Sequence, residues 1–119
     1  MKLSYEQIPA LLASAVPEFA QSREWQLLDG VADDLPGVVL ASFASFLIRL
    51  SRETPRSEAI STGLEFAALL WGSNDGRILV AMRDEFFEAL QNAPDAVEAM
   101  LPKMDQDLRE GYVSWTEGA

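Results

Sequence analysis

The longest apolar-rich stretch of the chain lies between Leu35 and Glu53, LPGVVLASFASFLIRLSRE, and the other elements are read around it. On a helix of 3.6 residues per turn, Val39, Leu40, Phe43, Phe46, Leu47 and Leu50 cover one broad side, and Ala41, Ala44 and Ile48 widen it. Only Ser42, Ser45, Arg49 and Arg52 remain for a narrow polar strip. A surface helix shows an apolar stripe a little over a quarter of its circumference wide, whereas one apolar over more than half has neighbours on several sides. Pro36 fits the first turn, where its missing N–H costs nothing. Arg49 and Arg52 suit the negative end of the helix dipole. The run is too short and too marked by serine to span a bilayer, which takes roughly 20 nearly uninterrupted apolar residues. The pattern predicts a core helix wrapped by other helices.

Before it, Ser4 and Gln7 have the spacing of a capping box, and Ile8, Leu11, Leu12, Ala15 and Val16 recur at helical spacing. Pro17 closes that helix or opens a short second one. Trp25, Leu27 and Leu28 are expected to pack inward, Asp29-Gly30 to act as a stop, and Asp33-Asp34 to cap the central helix. Thr54 and Pro55 read as N-cap and first residue of a helix reaching Trp71, with Ala59, Ile60, Gly63, Phe66, Ala67, Leu70 and Trp71 inward. A glycine in mid-helix costs up to about 1 kcal/mol, so Gly63 predicts close helix–helix contact, with the central helix as partner.

Gly72-Ser73-Asn74-Asp75-Gly76 is a helix stop followed by a new cap; it lacks the Lys-Ser/Thr ending of a phosphate loop. The next helix, Arg77 to Asn92, carries Ile78, Leu79, Met82, Phe86, Phe87 and Leu90 on one side and Asp84, Glu85 and Glu88 on the other. Asn92-Ala93-Pro94 restarts the chain into a short helix through Ala96, Val97, Met100 and Leu101, and Met104, Leu108, Tyr112 and Trp115 make a last stripe. No segment alternates as a half-buried strand over a useful length. The fold class is all-α: a single helical domain over 1–119, either a compact bundle or stacked helical hairpins, of roughly five to seven helices.

Composition changes this picture mainly by exclusion. The chain has 119 residues, 19 acidic against 9 basic, a net charge of −10, and neither cysteine nor histidine. Common zinc sites, Ser-His-Asp and Cys-His catalysis, and histidine-containing di-iron sites are thereby removed. No cofactor, no metal and no enzymatic activity is expected. The basic residues are scattered along the chain, so no nucleic-acid partner is expected, because phosphate neutralisation needs a basic patch. The opening residues make a poor signal peptide, and the expectation is a cytoplasmic protein with no membrane partner. The acids thicken toward the end of the chain. Asp84, Glu85, Glu88, Asp95 and Glu98 are candidate binding residues for a basic protein, on an acidic face that would gain association rate from steering.

Arg83 is the sixth candidate. On the wheel it falls among Leu79, Phe86, Phe87 and Leu90, where a guanidinium must be paired or must reach outward from the edge. A buried pair with Asp29, Asp33 or Asp34, a snorkelling side chain, and an anchor for a ligand or a partner's carboxylate are the three readings.

The stretches Asp34-Leu35-Pro36-Gly37-Val38-Val39-Leu40-Ala41-Ser42-Phe43-Ala44 and Arg77 to Leu90 (RILVAMRDEFFEAL) resemble an uncharacterised bacterial family of short acidic all-helical proteins. The likeness covers roughly residues 15 to 110 and departs from the family pattern at Gly37 and at Phe87-Glu88-Ala89. The resemblance implies a helical fold encoded beside interaction or toxin-neutralising genes, and it carries over no catalytic residue. Two functions follow as expectations. One is a non-catalytic protein-binding module, such as an immunity or inhibitor protein, engaging a basic partner. The alternative is a small-ligand-binding or weakly catalytic helical domain with a pocket near Arg83, Trp71 and Trp25.

Overall fold

An 18-residue helix, α4 (Pro36–Glu53), runs through the middle of the molecule. The structure, a computed structural model, describes residues 3–118 apart from the side chain of Asp33. Ahead of α4 come a 3-10 turn (Tyr5–Gln7), α1 (Ile8–Ala15), α2 (Pro17–Ala20), α3 (Arg23–Gln26) and a second 3-10 turn (Ala32–Asp34). After it come α5 (Glu58–Trp71) and a rod built from α6 (Gly76–Ala81), a π-helical turn (Met82–Phe87) and α7 (Glu88–Gln91). α8 (Pro94–Met100), a 3-10 turn (Leu101–Lys103) and α9 (Gln106–Gly118) complete the chain. With the rod taken as one, eight helices and no strand are present among the described residues. This slightly exceeds the expected number because Pro17 and the Ser22 cap divide the first stretch into three pieces.

α4 touches α1, α3, α5, the π turn, α7 and α8. A stack of hairpins would bring each pair against its neighbours only, so the arrangement is a bundle around a hub. Val39, Leu40, Phe43, Ala44, Phe46 and Leu47 are buried, while Ser45 and Arg52 face water. Rings stack outward from this helix in both directions. Trp25 meets Phe19 at 5.4 Å between centroids, Phe19 meets Phe43 at 5.2 Å, and Phe43 meets Phe86 at 5.9 Å. Phe86 then meets Phe87 at 6.2 Å and Phe87 meets Trp71 at 5.1 Å. Gly63 of α5 lies where an added Cβ would come within 2.9 Å of both Leu47 Cδ2 and Phe43 Cζ. The missing side chain is what lets α5 lie against α4.

Three local expectations are corrected. α5 begins at Glu58, not Pro55: the Ser57 side chain accepts from Ala59 N–H, and Thr54 N–H instead closes the end of α4 on Leu50 O at 2.7 Å. Leu28 is buried but Leu27 is 82% exposed. α3 is a single turn, and the chain leaves it through Asp29 and Gly30, both left-handed at φ 47 and 81. Finally, α4 is not capped by Asp34; its N-cap is Leu35, with no side-chain hydrogen bond. The Asp33 side chain lies outside the described residues.

Candidate functional site

α4 begins on Leu35-Pro36-Gly37, three residues that offer no side-chain acceptor for the amides of the first turn. Leu35 cannot cap, and Pro36 has no N–H to satisfy. Gly37 N–H donates instead to Tyr5 Oη at 3.2 Å, across 32 residues of chain. From the other side the π turn brings up Glu85. A Cβ on Gly37 would lie 3.3 Å from Tyr5 Oη and 3.4 Å from Glu85 Oε1, so both oxygens approach the same bare Cα. A carboxylate is favoured there by the positive end of the α4 dipole. Tyr5 thus supplies, from a distant part of the chain, the acceptor that the first turn of α4 lacks, and Glu85 lies beside it.

Between these elements lies an open cleft of about 540 Å³, lined by Tyr5, Gly37, the exposed Gly76, Arg77, Val80 and Asp84, the half-buried Glu85 and the buried Ala81. Residues 77, 80, 81, 84 and 85 share one face at helical spacing, which is why one rod furnishes a whole wall. Arg77 at the rim is already engaged: it pairs with Glu6, and its guanidinium lies 4.3 Å from the Tyr5 ring centroid. The backbone N–H of Glu6 and then Arg77 hold the Glu6 carboxyl below the usual carboxylate range. Asp84 is exposed and Glu85 half-buried. Among the described residues no basic side chain pairs with Asp84, Glu85 or Glu88. Val80 is 51% exposed on the cleft wall, and the exposed Leu35 and Val38 flank Gly37 in sequence.

Of the six candidates, then, the structure brings Asp84 and Glu85 together. Glu88 is exposed one turn further along the rod, in α7. Asp95, at the start of α8, is held by Arg52 of α4 through two hydrogen bonds of 2.9 and 2.8 Å. That pairing lowers its carboxyl from 3.8 to about 2. Glu98 is exposed on α8. Neither α8 acid borders the cleft.

Arg83 is neither buried nor paired with an acid. It is exposed, with its guanidinium 5.6 Å from the Trp71 ring centroid. The wheel misplaces it because it assumes 3.6 residues per turn throughout. The π turn adds a residue to the rod, so that Met82 and Phe87, five apart, are both fully buried while Arg83 turns out to the edge. Asp29 and Asp34, offered as its partners, are exposed and make no ion pair with it. A pocket joining Trp25 and Trp71 is likewise not where it was expected, because Phe19, Phe43, Phe86 and Phe87 fill the line between them.

The basic residues are less scattered in space than in sequence. Arg23, Arg49 and Arg52 border one shallow groove near the C-terminal end of α4. Each is occupied: Arg49 holds Glu24 at 2.7 and 2.9 Å, Arg23 reaches Glu53 at 3.2 Å, and Arg52 takes Asp95. The arginine hydrogen bonds keep the Glu24 carboxyl low despite its burial. Three arginines matched by three acids make no track for phosphates.

Among the described residues no group of acids could hold a metal ion, and no helix is long and apolar enough to cross a membrane. Tyr5, Gly37, Gly76, Arg77, Val80 and Ala81 are the cleft residues that sequence reasoning missed. The one available signal was the Leu-Pro-Gly start, whose missing cap requires an acceptor from elsewhere. Comparison of the chain with protein-family models, curated proteins and solved structures gave no match.

Proposed function

We propose that this chain is a non-catalytic protein-binding module that engages a basic partner through its acidic surface, as an immunity or inhibitor protein does. The observation that carries the reading is the state of Asp84, Glu85 and Glu88. Glu6, Glu24, Glu53 and Asp95 are spent internally on arginines, whereas the other acids of the described residues, Glu98, Asp107 and Glu110 among them, have no basic partner. What sets Asp84, Glu85 and Glu88 apart is that they share one rod, with Asp84 and Glu85 at the cleft's edge. Asp84, Glu85 and Glu88, on one rod, are left without a counter-charge among the described residues, beside the exposed Val80. An apolar centre within a polar rim is the common anatomy of protein interfaces. A net charge of −10 speeds encounter with a basic partner and disfavours acidic competitors. The lack of histidine and cysteine, and the outward placement of the acids, support a role without catalysis. The resemblance to short acidic bacterial proteins points the same way, and a cytoplasmic location accords with it.

The test is to capture partners at low salt, purify the one retained, and titrate it by calorimetry at about 50 and 300 mM salt, where screening lengths differ about 2.5-fold. Affinity should fall steeply with salt, and the combined change Asp84→Lys and Glu88→Lys should weaken it at least ~10-fold, or 1.4 kcal/mol. Binding indifferent to both would refute the reading.

A further inference from the structure

We infer that the cleft beside Gly37 seats a single basic side chain of the partner, an arginine, with its guanidinium at Asp84 and Glu85 and its stem over Val80 and Ala81. The inference rests on the reading of the protein as a binder of a basic partner and assigns the contact by which it binds.

Three observations carry it. The first is shape and lining: about 540 Å³ walled by Tyr5, Gly37, Gly76, Val80 and Ala81, with Arg77, Asp84 and Glu85 as its charged lining, is a mostly apolar recess that carries two carboxylates and one guanidinium already paired with Glu6. Such a recess suits a side chain with an apolar stem and a charged end. The second is charge. Asp84 and Glu85 border the same recess and have no counter-ion among the described residues. Glu85 is half-buried beside Gly37 at the start of α4, whereas Asp84 is exposed. Two oxygens from neighbouring carboxylates match the planar, forked donors of arginine better than the point charge of lysine. The third is that the chain makes a comparable contact at the same rim: Arg77 lies 4.3 Å from the Tyr5 ring centroid with its charge taken by Glu6. The Tyr5 face is thereby engaged and Arg77 neutralised, which leaves the Asp84 and Glu85 end of the cleft for an incoming guanidinium.

The probe is N-acetyl-arginine methylamide, with the uncharged citrulline analogue as its control, each titrated to about 50 mM because a lone contact of this kind has a millimolar Kd. Amide shifts are followed by NMR. The arginine probe should move Gly37, Val80, Asp84 and Glu85 saturably, the citrulline probe should not, and Asp84→Asn should weaken the response at least ~10-fold. Asp84 is exposed, so this variant keeps the fold, and an unchanged thermal transition confirms it. Shifts spread evenly over Glu98, Asp107 and Glu110 would overturn the cleft assignment while leaving the acidic-surface reading standing. No shift at the cleft, or equal shifts with citrulline, would overturn it as well. The broader reading fails on a different result, salt-indifferent binding of the purified partner.

Discussion

Tyr5 and Gly37, 32 residues apart, are joined by a hydrogen bond of 3.2 Å in which the Gly37 amide donates to the tyrosine hydroxyl. It ties the first turn of the chain to the first turn of the hub helix and replaces the cap that Leu35 cannot provide. Tyr5→Phe removes the acceptor and leaves the ring. The expected loss is about 1 kcal/mol, the usual worth of an N-cap, read as a lower midpoint in urea with an unchanged slope. An unaltered midpoint would mean that water caps α4 equally well.

Two glycines mark where helices meet. A Cβ on Gly63 would press on Leu47 and Phe43 at 2.9 Å, and one on Gly111 would fall 2.5 to 2.6 Å from the Trp71 indole. Alanine recovers up to about 1 kcal/mol of helix propensity at either site, but overpacking costs roughly 1–3 kcal/mol. Gly111→Ala should be the more destabilising of the two in thermal melts, because a rigid indole has less room to yield than the end of a leucine. A more stable Gly111→Ala would show that α9 can lift from Trp71 at no cost.

Stability should fall in acid over a defined range. Glu24, ordinarily at 4.5, is lowered by its Arg49 hydrogen bonds, and Asp95, ordinarily at 3.8, is lowered to about 2 by Arg52. Groups lowered on folding contribute fully above their unfolded values, and the contribution is lost as pH falls through the folded ones. Melting temperature should therefore be flat with respect to these groups near neutrality and should decline below about pH 4.5, the Asp95 share being lost between 3.8 and about 2. Arg49→Met removes both hydrogen bonds to Glu24, whose side chain is only 11% exposed, and leaves it only Arg23 at 3.7 Å. It should destabilise the neutral protein by roughly 1–3 kcal/mol and flatten the acid decline. A parallel decline in the variant would remove Glu24 as its source.

Arg83→Met should leave stability within about 1 kcal/mol, since an exposed cation–π contact is worth only about 0.5–1 kcal/mol. A loss near 3 kcal/mol would restore the buried pair that the residue pattern led us to consider.

That pair shows where sequence reasoning stops. The hub helix was legible because its apolar positions cover most of a circle, and Gly63 because a mid-helix glycine has few other uses. The Gly72–Gly76 turn and the break at Pro94 were legible from residues with strong backbone preferences, and α6 and α8 follow those signals. Arg83 was misplaced because a π turn has no simple residue signature and shifts every angle beyond it. The cleft was half legible: Asp84 and Glu85 stood out as outward acids, but Tyr5 and Gly37 meet only through tertiary packing. Asp95 stood out equally and is committed to Arg52, a pairing across 43 residues that no local pattern records.

Duplex DNA should not be retarded by this protein in gel shift at physiological salt. The three arginines that gather near the end of α4 are each matched by an acid. A retardation that weakens sharply with salt would show that these pairs open for phosphate.

The π turn gives the rod two independent sides. From Met82 to Phe87 it spends five residues where an ordinary helix would step by about four. Taking a residue such as Asp84 out of that turn would restore the ordinary step and leave Phe87 on its seat against Trp71 and Tyr112. The inner contacts thus set a minimum length, and the outer side holds the surplus. Changes of charge and even of length can accumulate on the outer face of the rod while the core keeps its register.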